Sequence, residues 1–245
     1  MNSLLITDLG LISYTQALAL QQRLAAVRKA EAIEDVLLLC EHPHVITLGR
    51  NAKRENLLVS EHVLRQKGVE LHATNRGGDI TYHGPGQIVG YPILNLGAIK
   101  RDVGWYVRTL EEAMIRATAD FGLTAFRVPG KTGIWVNPVA HPGAAEEKLA
   151  AIGVHLSRWV TSHGFAYNVS TDLRYFDLIV PCGIVGRKAT SLEKLLSRNI
   201  SIEEVKHPIA QHLAELFGLQ ARRASRDTLL KHLSEIEAST QSANH

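Results

Sequence analysis

Hydrophobic positions recur along the chain with helical spacing in some stretches and with strand spacing in others. After a capping pair at Ser13 and Gln16, apolar residues recur at helical intervals, which predicts a first helix near 14–30. The apolar runs DVLLLCE and VITLG predict two buried strands. The alternating runs GVELHAT and IVGYPILNL predict two more strands, and the glycine-rich stretch RGGDITYHGPGQ lies between them as a loop.

The second half of the chain continues this alternation. One apolar face from Val103 to Phe121 predicts a long helix, which Gly122 would end. The segments TAFRV, TGIWVN, KLAAIGVHLS and WVTSHGFAYNV are short and glycine-punctuated, so we expect antiparallel strands. Two further capping boxes predict C-terminal helices, and a last amphipathic stretch follows them; the boxes are Thr190/Glu193 and Ser201/Glu204.

This order of elements predicts an α/β fold of the α+β type, with a mixed, largely antiparallel sheet flanked by helices. No linker, repeat or change of composition divides the chain, so we predict a single domain over residues 1–237. The polar segment ASTQSANH at 238–245 is expected to be a flexible tail.

Composition narrows the class of protein. A hydrophobic content of 45% and a charged content of 21% are those of an ordinary globular protein. The net charge of +3 is too small to favour a nucleic-acid partner. The longest apolar run, VLLLC, is far below the ~20 residues of a membrane span. The N-terminus is a poor signal peptide and two cysteines make no disulfide framework, so we expect a cytoplasmic protein.

Cys182 is the first candidate for chemistry, in the stretch DLIVPCGIVGRKATSL. A free cysteine is usually a small buried hydrophobe, and that interpretation fits Cys40 within VLLLC. At Cys182 the thiol stands between proline and glycine at a strand end, where free backbone N–H groups can form an oxyanion hole. Position alone leaves a structural role and a nucleophile both open for Cys182.

A nucleophilic thiol needs an activator, because at its free pKa of ~8.5 only a few per cent is thiolate at pH 7. None of the twelve histidines stands at a recognisable cysteine–histidine or zinc-binding spacing. Lys148 opens the run KLAAIGVHLS and could serve instead. A lysine at a strand start is most often a solvated charge, and spacing alone does not decide between the two roles.

The stretch RGGDITYHGPGQIVGYPILNL resembles the signature of the lipoyl(octanoyl) transferases, which move an octanoyl chain from acyl carrier protein onto lipoyl domains. Other segments that resemble this family follow in the family's order: LLLCEHPHVITLGR, TGIWV, KLAAIGVHLSRWVTSHGFAYNV and IVPCGI…TSL. Together they span roughly residues 36–195. The resemblance implies the fold of the biotin/lipoate protein ligase catalytic domain, without ATP chemistry.

The resemblance also implies roles for individual residues. Cys182 would be the acyl-thioester nucleophile, and Lys148 would lower the pKa of that thiol and act as acid and base. Two departures from the family have no implied role: a loop expansion within 138–147, and the basic pair Arg187 and Lys188. The implied acyl pocket comprises Arg76, Gly77, Gly78, Asp79, Ile80, Thr81, Tyr82, His83, Ala151, Ile152, Gly153, Gly164, Phe165 and Ala166.

Within that pocket we expect Ile80, Tyr82 and Ala151 to supply apolar wall, and glycine backbone to approach the chain closely. Arg76 could anchor the loop, form a pocket edge, or do both. With the reference pKa values of lysine and cysteine, proton transfer from thiol to neutral amine is favourable by ~2.6 kcal/mol. The thiolate would then exchange one thioester for another.

The family's partners follow from the resemblance. The donor would be octanoyl-acyl carrier protein, and the acceptors would be a lysine on lipoyl domains of 2-oxoacid dehydrogenase complexes and on the glycine cleavage H protein. No cofactor or metal is expected. Three other functions remain open: an ATP-dependent lipoate or biotin ligase of the same fold, a thioester hydrolase, and a non-catalytic acyl-carrying protein. They differ in ATP dependence, in release of free octanoate, and in whether Cys182→Ser has any effect.

Overall fold

A computed structural model describes residues 3–138, 145–181 and 188–242 of the chain. The strands are β1 Ser3–Leu11, β2 Asp35–Glu41, β3 Val45–Leu48, β4 Glu70–Ala73, β5 Ile80–His83, β6 Gln87–Ile93, β7 Phe126–Val128, β8 Lys131–Val136, β9 Glu147–Ser157, β10 Val160–Asn168 and β11 Gln220–Arg223. The helices are α1 Tyr14–Lys29, α2 Glu61–Gln66, α3 Leu96–Ile99, α4 Val103–Ala119, α5 Leu192–Leu196, α6 Ile202–Phe217 and α7 Arg226–Ser242, with short 3₁₀ helices at Arg54–Asn56 and Leu173–Leu178.

Eight strands form a large sheet in the order β11-β1-β2-β6-β10-β9-β8-β7. Strand β1 is parallel to both of its neighbours, β11 and β2. Every other pairing in this sheet is antiparallel. The predicted mixed, largely antiparallel sheet with flanking helices is confirmed.

A small sheet of three strands, in the order β4-β3-β5, lies beside the large one. Strand β5 occupies Ile80–His83, in the middle of the glycine-rich stretch that the sequence predicted to be a loop. That prediction was wrong, because ITYH pairs with the edge of β3 from Val45 to Leu48. The glycines flank this strand and form the turns at its two ends.

Three hydrophobic cores hold these layers together. The first core lies between the large sheet and helices α4 and α6. The second lies on the opposite face of the same sheet, under α1 and α7. Side chains of β2 alternate between them, since Leu37 and Leu39 enter the first core while Val36 and Leu38 enter the second. The third core packs the small sheet against the 3₁₀ helix Leu173–Leu178.

The helix ends agree with the predicted signals at some positions and differ at others. Ser201 and Glu204 form the reciprocal capping box that the sequence predicted for α6. The box predicted at Thr190 and Glu193 is displaced by one residue, because Ser191 caps α5 by accepting from the N–H of Lys194. Helix α7 runs to Ser242. The flexible tail at 238–245 and the single domain at 1–237 stay predictions.

No helix in the described part of the chain combines the length and apolar character that a membrane span needs.

Candidate active site

The first of two adjoining cavities lies between the small sheet and the large sheet, and we call it the small-residue cavity. Its floor is formed by strands β9 and β10, where Gly153 is directly opposite Gly164 and Ala151 is directly opposite Ala166. Because these positions carry only a hydrogen or a methyl group, the backbone of the sheet forms the floor. The cavity has an open volume of about 480 Å³, and it is lined by all the predicted pocket residues except Gly77, Ile80 and Tyr82, together with Tyr14, Val89, Tyr91 and His163.

Strand β5 forms the opposite wall, and its alternation decides which side chains enter the cavity. Thr81 and His83 line the small-residue cavity. Ile80 and Tyr82 point away from it into the third core, where both are fully buried. The expectation that these two side chains supply apolar wall was therefore wrong. That expectation treated the segment as a loop, in which side chains need not alternate.

Arg76 holds the loop that precedes β5. Its guanidinium is buried and donates to the carbonyl oxygen of Thr47 at 2.7 Å and to the carbonyl oxygen of Gly77 at 3.1 Å. The N–H of Gly77 donates to the Val154 carbonyl at 2.8 Å, which docks the loop on β9. This close approach needs glycine at 153, since a Cβ there would lie 2.8 Å from the Gly77 oxygen. Arg76 is thus both an anchor and part of the cavity wall.

The other two loop residues have different roles. Gly78 lines the cavity and has φ of +86°, a left-handed conformation that favours glycine. Asp79 accepts backbone hydrogen bonds from Ile80 at 2.7 Å and from Lys53 at 3.1 Å. The carboxylate of Asp79 therefore ties the loop to the segment that follows β3.

The histidines of the cavity wall are neutral at pH 7. Burial, with a smaller contribution from His42, lowers the pKa of His83 to about 3. Burial and then the nearby Arg76 charge lower the pKa of His163 to about 4. Burial also lowers the pKa of His42, whose Nδ1–H donates to the Ile12 carbonyl at 2.7 Å. These histidines therefore add no charge to the cavity wall, whose basic and acidic side chains are Arg76 and Asp79.

The second cavity, which we call the lysine cavity, adjoins the first. Thr81, Ala151 and Ala166 line both. Its open volume is about 440 Å³. Its other lining residues are Gln87, Trp135, Lys148, Asn168, Phe176, Pro181, Lys188 and Ala189.

Lys148 lies near the start of β9, as the sequence predicted, and is half-buried. Its Nζ lies 4.7 Å from the centre of the Trp135 ring, within the range of a cation–π contact. The backbone of Lys148 pairs with the segment 188–190, through Lys148 N–H to the Lys188 carbonyl and Thr190 N–H to the Lys148 carbonyl, both 2.9 Å. The backbone N–H and C=O of Lys148 are therefore both bonded to this one segment.

Two predicted residues, Cys182 and Arg187, lie outside the described residues. Pro181 and Lys188, which flank residues 182–187 in the chain, both line the lysine cavity. Lys148 lines this cavity, whereas eleven of the fourteen predicted pocket residues line the small-residue cavity. In the described part of the chain, no group of three or more histidine, cysteine, aspartate or glutamate side chains is arranged to hold a metal ion.

A chain of buried amides crosses between the two cavities. His83 Nδ1 lies 2.8 Å from Gln87 Oε1, and Gln87 Nε2 donates to Asn168 Oδ1 at 2.9 Å. Asn168 Nδ2 then donates to the Thr190 carbonyl at 2.9 Å. These bonds connect the wall of the small-residue cavity to the segment that pairs with Lys148.

Comparison with known proteins identifies the family. The family model of the lipoyl protein ligase A/B catalytic domain matches residues 13–214. The chain belongs to this family. An octanoyltransferase of Solibacter usitatus is 53% identical over 90% of this chain and 96% of that protein. An octanoyltransferase of Acidobacterium capsulatum is 51% identical over 88% of this chain and 90% of that protein.

Solved structures share the fold at low sequence identity. The bipartite lipoate protein ligase of Thermoplasma acidophilum has a TM-score of 0.71 and 17% identity, over 96% of this chain and 92% of that one. A biotin protein ligase of Aquifex aeolicus has a TM-score of 0.51 and 13% identity, over 89% and 71%. The predicted family and the predicted biotin/lipoate ligase fold are both confirmed.

Sequence reasoning missed several lining residues of this lipoyl ligase A/B domain. Trp135 and Asn168 are buried on β8 and β10, and Gln87 is buried at the start of β6. A polar residue inside an apolar strand, as in FAYNV, could have signalled Asn168. Tyr14 opens α1, far away in sequence, so no local pattern indicated its place on the wall.

Proposed function

We propose that this protein is an octanoyltransferase that acylates lipoyl domains through a thioester on Cys182. The observation that carries the proposal is the junction of the two cavities at Thr81, Ala151 and Ala166. A chain in the small-residue cavity could reach Lys148 through this junction. Cys182 follows Pro181 directly, and Pro181 lines the lysine cavity.

The first half of the reaction loads the enzyme. The Cys182 thiolate attacks the carbonyl carbon of the octanoyl thioester on acyl carrier protein. The bond to the carrier sulfur breaks, and a new thioester forms at Cys182. The carrier leaves as a thiolate that takes the proton of the Lys148 ammonium, which leaves Lys148 neutral for the second half. The Lys148 ammonium favours the thiolate before attack, because an opposite charge nearby stabilises the ionised form of a thiol.

The second half transfers the chain to an amine. The ε-amino group of the acceptor lysine attacks the enzyme thioester, and the bond to the Cys182 sulfur breaks. Lys148 takes a proton from the attacking amine, and an amide is released. Formation of an amide from a thioester is downhill, so the reaction as proposed uses no nucleotide, cofactor or metal. The proposed site of action is the cytoplasm.

The small-residue cavity holds the chain during both halves. Its glycine and alanine floor leaves room for a thin alkyl group, and its neutral histidines place no charge against it. Arg76 keeps the Gly77–Gly78 loop seated on β9, which fixes the opposite wall. We propose octanoyl-acyl carrier protein as donor, and the lipoyl domains of 2-oxoacid dehydrogenase complexes and the glycine cleavage H protein as acceptors.

Two other activities would differ from octanoyl transfer in what they require or release. The similarity to lipoate and biotin ligases concerns the fold alone, and those ligases would form an adenylate before transfer. A requirement for ATP in the transfer of octanoyl groups would favour a ligase. Release of free octanoate in the presence of an acceptor domain would favour a thioester hydrolase.

The test is intact-mass spectrometry after mixing the protein with octanoyl-acyl carrier protein. We expect one octanoyl group on the wild type, removable by hydroxylamine, and none on Cys182→Ala. The matched control is Cys40→Ala, because Cys40 is fully buried and burial raises the pKa of its thiol. Acylation that persists in Cys182→Ala would exclude Cys182 as the nucleophile.

A further inference from the structure

The ladder between β8 and β9 contains one extra residue. Val136 pairs with Glu147 and Trp135 pairs with Lys148, but Ile134 pairs with Ala150. Leu149 is therefore inserted without a partner on β8, which is a β-bulge. This bulge directly follows Lys148 in the chain.

The bulge decides which face of the sheet Lys148 occupies. Leu149 and Ala150 are neighbours in sequence, yet both are buried in the first core. In a regular strand, residues two apart share a face, so position 148 would point into the same core as Ala150. The extra residue shifts the alternation of side chains between the two faces by one position. Lys148 therefore lies on the same face as Trp135, toward the lysine cavity.

Gly133 on β8 accommodates the bulge. Its φ is +112°, and a Cβ on it would lie 2.3 Å from the Ala150 carbonyl oxygen. Its N–H donates to the Glu111 Oε1 atom of helix α4 at 3.0 Å. Only a residue without a side chain can adopt this conformation so close to the neighbouring backbone.

Glu111 is a carboxylate at the edge of an apolar core. It is 6% exposed, and its second oxygen accepts from Arg127 Nε at 3.1 Å. The neighbouring Glu112 also binds Arg127, at 2.8 Å, and is more exposed. Glu111 therefore does more than neutralise Arg127, because it also supplies the acceptor for the backbone N–H of Gly133.

We propose that Glu111 is a positioning residue for catalysis. By binding Gly133 it fixes the bulge at Leu149, and the bulge turns Lys148 from the first core into the lysine cavity. The inference rests on the proposed function for the importance of Lys148. The geometry that orients Lys148 is independent of it.

The experiment compares four variants. Glu111→Leu removes the carboxylate that accepts from the Gly133 N–H. Glu111→Asp keeps the negative charge, but its shorter side chain moves the carboxylate away from Gly133. Glu111→Gln keeps an acceptor oxygen at the same reach. Glu112→Gln is the matched control, because it weakens the contact to Arg127 and leaves Gly133 untouched.

Two quantities are measured in each folded variant. The first is the rate at which Lys148 is acetylated by acetic anhydride, relative to the exposed Lys231, read by peptide mass spectrometry. The second is kcat and KM for octanoyl transfer. We expect at least a threefold change in Lys148 labelling and a tenfold or larger loss of kcat, with little change in KM, for the leucine and aspartate variants. Glu111→Gln and Glu112→Gln should stay within twofold of wild type.

Wild-type labelling and kcat in the aspartate variant would overturn the proposal, even if the leucine variant fails to fold. Equal losses in the Glu112→Gln control would overturn it as well, because they would assign the effect to Arg127. The proposed function fails separately: if Lys148→Met transfers octanoyl at the wild-type rate, Lys148 has no catalytic role. Changed Lys148 labelling in the Glu111 variants would then still support the positioning.

Discussion

The small-residue cavity and the lysine cavity share the floor of one sheet, but the walls they add to it differ. The first is closed by backbone, by small side chains, by histidines that burial keeps neutral, such as His83 and His163, and by Arg76, whose guanidinium is bonded to backbone carbonyls. The second contains Lys188 and Lys148, and the Nζ of Lys148 lies over the Trp135 ring. Burial of an alkyl chain costs least where few polar groups must be desolvated, whereas general acid–base catalysis needs a titratable group within reach of the reacting atoms. In the proposed function, the alkyl chain would bind in the first cavity and acyl transfer would take place in the second.

The largest expected effect comes from the lysine cavity. Lys148→Arg keeps a cation but removes a group that can give up a proton, since arginine stays protonated in proteins. We expect Cys182 alkylation at pH 6–7 to be retained in part, and transfer to the acceptor lysine to fall by more than about 100-fold, on the scale of general acid–base catalysis. Lys188→Arg is the control from the same cavity and should lose little. Equal losses in both steps would mean that Lys148 acts only through its charge.

The next effect concerns the wall of the small-residue cavity. At Gly78, φ is +86°, so alanine there is strained although the nearest atom, Arg76 Nη1, is 3.5 Å from the Cβ position. A shift of the loop by about 1 Å could lower the rate on the order of 100-fold. We expect Gly78→Ala to lose octanoyl transfer more than butanoyl transfer, because the shorter chain leaves the cavity partly empty.

Gly122→Ala is the matched control for that variant. Gly122 also has a positive φ, +76°, and a Cβ there meets no atom within 4 Å. The two variants should lose similar stability, while only Gly78→Ala loses activity. Equal loss for octanoyl and butanoyl groups would show that the loop is structural and that the chain binds elsewhere.

The strands that carry the candidate site could be predicted from the sequence, because they depend on local periodicity. The runs around Lys148, Gly153 and Gly164 alternate, and strands β9 and β10 formed where they were predicted. The bulge at Leu149 has no such signal, since it arises from Gly133 on another strand and Glu111 on a helix. Contacts between distant segments decide such features, and a local pattern does not report them.

The same reason explains the error at Ile80 and Tyr82. The glycines around ITYH are typical of a loop, and the four residues become a strand because β3 offers an edge to pair with. Once β5 forms, alternation sends these two side chains into the third core and gives Thr81 and His83 to the cavity. The pocket could be predicted as a segment, but not side chain by side chain.

The smallest predicted effect tests the neutrality of the small-residue cavity. The pKa of His163 is lowered to about 4, so at pH 5 this group binds a proton in the unfolded chain and not in the folded one. Stability is therefore full above the unfolded pKa of about 6.5, and it falls as the pH drops toward about 4. For His163 alone the loss between pH 7 and pH 5 would be up to about 2 kcal/mol.

We expect His163→Gln to show a weaker fall in the free energy of unfolding between pH 7 and pH 5, measured with urea. The exposed His62 serves as the control, and His62→Gln should leave the pH dependence unchanged. An unaltered slope in His163→Gln would show that the imidazole is not held neutral, and the contrast between the cavities would weaken.

The most direct measurement of the division between binding and chemistry is a crystal structure of the octanoyl-enzyme. The Lys148→Arg variant offers a way to accumulate this species, because its second step should be slow. The account predicts a thioester at Cys182 and an alkyl chain that passes Thr81 and Ala166 and lies over the floor at Gly153 and Gly164. A chain located elsewhere, with the small-residue cavity left empty, would contradict it.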